Sequence, residues 1–118
     1  ADAAFLRDRD GKRITLENAV KRQCRDTALL YGLGDRGVIA PGYLADINVI
    51  DLEQVKLGKP WLAFDLPAGG KRLLQKADGY ACTIKSGEVT FREGAYLGVH
   101  PGRLIRGPQR APAALAAE

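Results

Sequence analysis

Leu16, Ala19, Val20 and Cys24 recur at helical spacing, while Lys21, Arg22 and Arg25 fall off that stripe. The pattern predicts an amphipathic helix with its basic side toward water. Thr15 is placed to cap it, since a hydroxyl can accept from an otherwise unpaired backbone N–H. Glu17 follows in the first turn, where the helix dipole favours an acid. Asp26 or Thr27 is expected to break and re-cap the helix, with residues 28–31 as a short second helix stopped by Gly32. Residues 1–14 are charged apart from the pair Phe5 and Leu6, with a turn signal at Asp10-Gly11.

Beyond Gly32 the pattern changes to short apolar runs between turns. Asp35-Arg36-Gly37 is expected to turn, and Val38-Ile39 to form a short strand. Pro41-Gly42 suits the centre of a type II turn, where proline fixes one φ and glycine accepts a positive φ. Residues 45–50 read as a buried strand carrying Ile47, Val49 and Ile50, closed by Asp51. Residues 52–79 read as a long irregular connection anchored by Leu57, Trp61, Leu62, Phe64 and Leu66. A connection of that length is usually functional or packed on another part of a protein. The clearest hairpin pairs residues 80–85 with 88–92 across Ser86-Gly87, a length suited to a primed turn. Glu93-Gly94 and His100-Pro101-Gly102 are further turns, and the Ala/Pro-rich stretch from Pro108 is expected to fray. Some four short strands make neither a closed barrel nor a two-sheet sandwich, so sheet edges are left that need covering.

Composition narrows the function classes. The chain has 118 residues, enough for one small domain with a thin core. Its net charge of +4, from 18 basic and 14 acidic residues, is mostly interleaved, as in Arg7-Asp8-Arg9-Asp10. Only Arg103, Arg106 and Arg110 are one-sided. Dispersed charge of this kind favours solubility over a nucleic-acid partner. No run approaches membrane-spanning length and no secretory signal is visible, so a cytoplasmic protein without a membrane partner is expected. The chain contains no methionine and begins inside a charged run, which reads as a piece of a longer protein.

The run Tyr31-Gly32-Leu33-Gly34-Asp35-Arg36-Gly37, followed by Ala40-Pro41-Gly42-Tyr43-Leu44-Ala45-Asp46-Ile47-Asn48-Val49-Ile50-Asp51, resembles the C-terminal end of metal-dependent amidohydrolases. There a last barrel helix enters a glycine-anchored pair of turns and a strand of the type Ala-Asp-apolar-x-Val-x-Asp. Asp65-Leu66-Pro67-Ala68-Gly69-Gly70, the hairpin at Ser86-Gly87-Glu88-Val89 and Pro101-Gly102-Arg103-Leu104-Ile105-Arg106, in that order, resemble the D-aminoacylase branch, the N-acyl-D-amino-acid deacylases. Departures are local: Thr27 stands where many relatives have proline, Cys24 where they often have threonine, and Ser86 where they usually have asparagine. The resemblance implies a mainly β chain with an N-terminal helix. In that picture residues 1–32 resemble the last barrel helix. Residues 33–107 supply part of a β-sandwich, the C-terminal half of a composite domain, with the hairpin at 80–92. Residues 108–118 form a disordered tail. The barrel and the N-terminal strands of the parent chain are the implied partners, and an N-acyl amino acid the implied small-molecule substrate.

That family hydrolyses amides with a metal-bound hydroxide, and zinc or another divalent metal is implied for the parent enzyme. Such a site needs several His, Asp, Glu or Cys side chains on one ion. Here the lone histidine, His100, reads as a surface loop residue, so no catalytic, cofactor-binding or metal-binding residue is expected in this stretch. Cys24 and Cys82 read as small buried hydrophobes, with a disulfide between them left open by sequence separation alone. Asp46 and Asp51 are expected to accept backbone N–H bonds from neighbouring turns rather than to act as a catalytic pair. Gly32-x-Gly34-x-x-Gly37 matches a dinucleotide fingerprint by letter but lies after a helix and before a strand, the reverse of the required context. Residues 65–70 are either a packing loop between sandwich and barrel or an approach to the active-site mouth. Two other readings stay open: a free-standing basic module gripping an anionic partner through Arg103, Arg106 and Arg110, and a homo-oligomer paired through the open strand edges.

Overall fold

The computed structural model describes residues 14–113. The charged lead-in with Phe5, Leu6 and Asp10-Gly11, and the end of the tail from residue 114, lie outside them. The chain is mainly β, led in by a helix, as its pattern predicts.

Thr15 caps α1 (Leu16–Lys21), its hydroxyl accepting from the Asn18 amide at 3.3 Å, a contribution of about 1 kcal/mol. The helix does not break at Asp26 or Thr27. It widens into a π turn (Arg22–Asp26) and resumes as α2 (Thr27–Leu30). The Thr27 hydroxyl donates to the Arg22 carbonyl five residues back at 2.7 Å, and Lys21 Nζ reaches Asp26 Oδ2 at 2.7 Å across the same interval. Both side-chain bonds match the wider spacing of a π turn. Gly32 then ends the helix in a Schellman arrangement, with Leu33 N–H donating to the Ala28 carbonyl at 2.8 Å and Gly32 N–H to that of Leu29 at 3.0 Å.

No strand forms at Val38-Ile39, and Ile39 is 85% exposed. Gly37 is held against the helix, and Pro41 lacks an amide to continue a ladder. The chain enters the Pro41-Gly42 turn instead, closed by Tyr43 N–H to the Ala40 carbonyl at 3.2 Å. Strand β1 (Ile47–Ile50) then joins β6 (Tyr80–Lys85), β7 (Glu88–Arg92) and β8 (Ala95–Tyr96) in one antiparallel four-stranded sheet, in the order β1-β6-β7-β8. Ser86 and Gly87 both have positive φ, +54° and +84°, the type I′ turn that their two-residue spacing predicts. A register shift in the β6–β7 ladder leaves Thr90 unpaired opposite Thr83 and Ile84; Thr90 is buried, and its hydroxyl donates to the Thr83 carbonyl at 3.1 Å.

The expected irregular connection is largely ordered as two ladders. Strands β2 (Lys56–Leu57) and β5 (Ala77–Asp78) pair at its base. Beyond them β3 (Trp61–Leu66) and β4 (Gly70–Leu74) form a separate two-stranded ribbon. Turn residues near its middle concealed the pairing: Pro67, Ala68 and Gly69 are only the ribbon's tip.

The tail from Pro108 is bonded rather than frayed where it is described. Gln109 N–H donates to the Gly32 carbonyl at 2.7 Å, and Gly34 N–H to that of Gln109 at 3.0 Å, a parallel bridge beside Leu33.

These elements share almost no core. The only buried apolar residues among those described are Ala19, Ala28 and Val55. The accessible surface is 9623 Å², against about 6,200 Å² for a compact protein of this mass.

Gly37 has φ +86°, and a Cβ there would lie 2.8 Å from the Ala28 Cβ and 2.9 Å from the Cys24 carbonyl oxygen. Gly37→Ala is therefore expected to destabilise by about 2–4 kcal/mol, combining left-handed strain with a clash against the helix. Gly87→Ala, where nothing lies within 4 Å, is expected to lose only the strain, about 1–2 kcal/mol. Urea unfolding followed by circular dichroism measures both, and equal losses would refute a helix contact at Gly37. Ending the chain at Gly107 is expected to raise amide exchange at Gly34 while leaving the β6–β7 hairpin unchanged.

Candidate functional site

The densest convergence of charged groups lies where the helical segment meets the sheet. Arg36 Nε donates to Asp35 Oδ1 at 2.9 Å and Nη2 to Oδ2 at 3.0 Å, while Nη1 reaches across to Asp46 Oδ2 at 3.2 Å. Asp46 Oδ1 accepts from Lys85 Nζ at 2.9 Å and from the Ser86 amide at 2.9 Å. Local folding aligns the partners. The Asp35 carbonyl takes the Leu44 amide at 2.8 Å, and the Ala45 carbonyl takes the Gly87 amide at 3.0 Å, which brings the Asp35–Arg36 turn and the β6–β7 turn to opposite sides of Asp46. Arg36 is the most shielded member, its side chain 14% exposed.

Within this cluster the Arg36 guanidinium, by hydrogen bond and by charge, holds the Asp35 carboxyl below the usual carboxylate range, against the opposing effect of burial. Asp35 in turn raises Arg36. Every charge is committed to a partner. The cluster is built to hold two turns together, and it presents no uncommitted base, nucleophile or open ligand position.

The residues singled out in sequence are scattered. Asp46 and Asp51 both accept backbone N–H bonds from turns, as expected: Asp46 from Ser86, and Asp51 Oδ1 from Glu53 at 3.0 Å and Gln54 at 3.3 Å. His100 is an exposed loop residue whose Nε2 lies 2.5 Å from the Tyr96 hydroxyl, at the end of a row of tilted rings, Phe91, Tyr96 and His100. Both cysteines are free thiols; Cys82 is half-buried, but Cys24 is exposed rather than buried as its place on the apolar stripe predicts. Arg103, Arg106 and Arg110 are exposed on an irregular stretch. Asp65 is held by Arg72, at 2.8 and 2.6 Å, and the guanidinium lowers its pKa. The Gly32-x-Gly34 pair is a track for the chain's own tail: a Cβ on Gly34 would lie 2.7 Å from the Gln109 carbonyl oxygen.

Among the described residues no group of three or more His, Cys, Asp or Glu side chains is placed to hold one ion. An open groove of about 490 Å³ runs between α1 and the Gly37-Val38 segment, lined by Leu16, Val20 and Val38 with Glu17, Lys21 and Arg25 at its margin. Leu16 and Val20 of the helix are exposed along it. No helix among the described residues is long and apolar enough to cross a membrane.

Sequence reasoning missed Arg36 and Lys85. Their only signal was a basic residue beside each of two turns, and nothing in the spacing joined turns so far apart.

Arg36→Gln is expected to cost about 1.5–3 kcal/mol at neutral pH, from lost charge-assisted bonds. Asp35 has a depressed folded pKa, so its contribution is present above its ordinary value of 3.8 and is lost as pH falls through the lower folded value. The variant and the natural protein should therefore converge in acid. Urea unfolding at neutral pH and well below pH 3.8 tests this; a gap that persists in acid would mean that Arg36 acts through packing of its stem.

Comparison with known proteins supplies the family. No curated protein and no solved structure matches the chain. A family model, that of the amidohydrolase family (Amidohydro_3), matches residues 4–91, a span that takes in α1, the Asp35–Arg36 turn, Asp46, the ribbon and the β6–β7 hairpin. The chain belongs to the amidohydrolase family.

Proposed function

We propose that the chain is the C-terminal part of a metal-dependent amidohydrolase whose metal and catalytic groups lie upstream. On this reading the parent enzyme hydrolyses the amide bond of N-acyl-D-amino acids, and the present residues are scaffold. The single observation that carries it is the family match over residues 4–91 on a chain whose charged cluster is fully self-paired. The order of the Asp-Leu-Pro-Ala-Gly-Gly, Ser-Gly-Glu-Val and Pro-Gly-Arg-Leu motifs supports the D-aminoacylase branch in particular.

The near absence of buried apolar residues supports the reading of a partial domain. α1 to α2 would be the last barrel helix, its exposed Leu16 and Val20 facing the barrel. The four-stranded sheet would be one part of a composite sandwich completed by N-terminal strands. Burying such faces is worth about 25 cal/mol per Å², and this chain leaves most of that unrealised. A self-associated form of the chain is the second reading; it is favoured only by the exposed sheet edges.

The test is expression of the reading frame extended upstream beside the 118-residue chain. The extended protein is expected to hydrolyse N-acetyl-D-amino acids, to lose activity on chelation and to regain it with zinc, while the 118-residue chain turns over nothing. Absence of a barrel with a His-x-His-type metal motif upstream would overturn the reading.

A further inference from the structure

Beyond the hairpin the chain returns to the end of the helical segment and is seated there at two points. Gln109 N–H donates to the Gly32 carbonyl at 2.7 Å, and Gly34 N–H donates to the Gln109 carbonyl at 3.0 Å. One extended residue is thus bonded through both its backbone groups, as in a parallel ladder. Further on, Pro112 lies against the Pro41-Gly42 turn: a Cβ on Gly42 would sit 2.9 Å from the Pro112 Cβ. Gln109 and Pro112 are half-buried, while Pro108, Arg110 and Ala111 beside them are exposed. The residues that shed solvent are the ones that meet the earlier turns.

Gly34 differs from the other glycines at this seat. Gly32 and Gly42 have φ of +70° and +84°, and turn geometry alone accounts for glycine there. Gly34 lies outside the left-handed region, so its own backbone would accept a side chain. The tail is what excludes one. A Cβ at Gly34 would lie 2.7 Å from the Gln109 carbonyl oxygen and 3.0 Å from the Ala111 nitrogen, and backbone atoms cannot swing aside as a flexible side chain can. Gly102, also outside the left-handed region, has nothing within 4 Å. Residues 34–42 between the two contacts form the loop that carries Asp35 and Arg36, with the Leu44 amide bonded to the Asp35 carbonyl at 2.8 Å. A segment that touches both Gly34 and Gly42 spans that loop.

We propose that Gly34 and Gly42 form a cradle whose occupant is residues 108–112 of the same chain, and that this strap fastens the loop carrying Asp35 and Arg36. Gly34 is the position that selects the occupant: it admits an extended backbone where any side chain would expel it. The strap is thereby a positioning element for Arg36, acting through the loop and not by touching its guanidinium. The inference stands apart from the enzyme reading, because each contact it uses is made within the described residues.

Amide exchange read residue by residue by NMR, together with urea unfolding, tests this on the 118-residue chain, on Gly34→Ala, on a chain ending at Gly107, and on the two changes combined. The Gln109 amide is expected to be protected in the natural chain. Gly34→Ala should speed its exchange at least about tenfold and speed that of Leu44 with it, whereas Gly102→Ala should move neither. At full length Gly34→Ala should lower the urea midpoint. In the chain ending at Gly107 it should leave the midpoint unchanged or raise it, since only the loss of glycine's freedom in the unfolded chain remains. An equal fall at both lengths would show that Gly34 serves its own backbone and would overturn the proposal. A Gln109 amide that exchanges freely while the β6–β7 hairpin is protected would remove the strap. A Leu44 amide unmoved by Gly34→Ala would remove its hold on the loop. Protection of Gln109 that rises with protein concentration would seat the strap on a second copy and overturn the within-chain cradle. If the 118-residue chain is unprotected throughout, the same changes are read by mass spectrometry in the upstream-extended protein, and the same outcomes decide.

Discussion

The carboxylate of Asp46 is where the chain's two halves are tied. One oxygen takes Arg36 from the turn behind the helix; the other takes Lys85 and the Ser86 amide from the hairpin. A carboxylate accepts several bonds at once, so a single side chain can fix the angle between two turns that would otherwise pivot. The ladder of β1 on β6 begins beside that junction, with Ile47 opposite Ile84. Gly37 and Gly34 bring backbones together too closely for side chains to fill the space.

The second constraint is the missing core. A domain is normally two or more layers closed on one apolar interior. Here the helix, the four-stranded sheet and the ribbon each have an apolar face, yet Ala19, Ala28 and Val55 are the only apolar residues buried among those described. Membership of the amidohydrolase family gives this a physical sense. Surfaces without an interior of their own are what a segment of a larger enzyme would present. The carboxylates of Asp46 and Asp65 are each bonded to cationic side chains, Asp46 to Arg36 and Lys85 and Asp65 to Arg72.

Much of the local structure was legible because its causes are local. Thr15 caps its helix through a bond three residues long, Gly32 ends it, and Ser86-Gly87 turns a hairpin of matched strands. Asp46 and Asp51 were read as acceptors for turn amides for the same reason. The failures came where a partner decided the outcome. Val38-Ile39 has strand-forming residues but no neighbour to pair with. Residues 61–74 look irregular until β3 and β4 meet, because proline and glycines at the tip mask the alternation on either side. Cys24 continues the stripe of Leu16, Ala19 and Val20, but only Ala19 of these is buried and the Cys24 thiol is exposed.

By itself the sequence determined the capped start and glycine stop of the helical segment, the β6–β7 hairpin with its turn, and the order of motifs that carries the family resemblance. Those features rest on φ preferences and on hydrogen bonds between near neighbours. Only the tertiary structure decided that Arg36, Asp46 and Lys85 form one cluster, that Gln109 lies along Gly32 and Gly34, and that the ribbon stands apart with an uncovered face. Contacts of that kind depend on which distant segments approach and which surfaces lack a partner, and neither quantity is encoded in the spacing of residues along the chain.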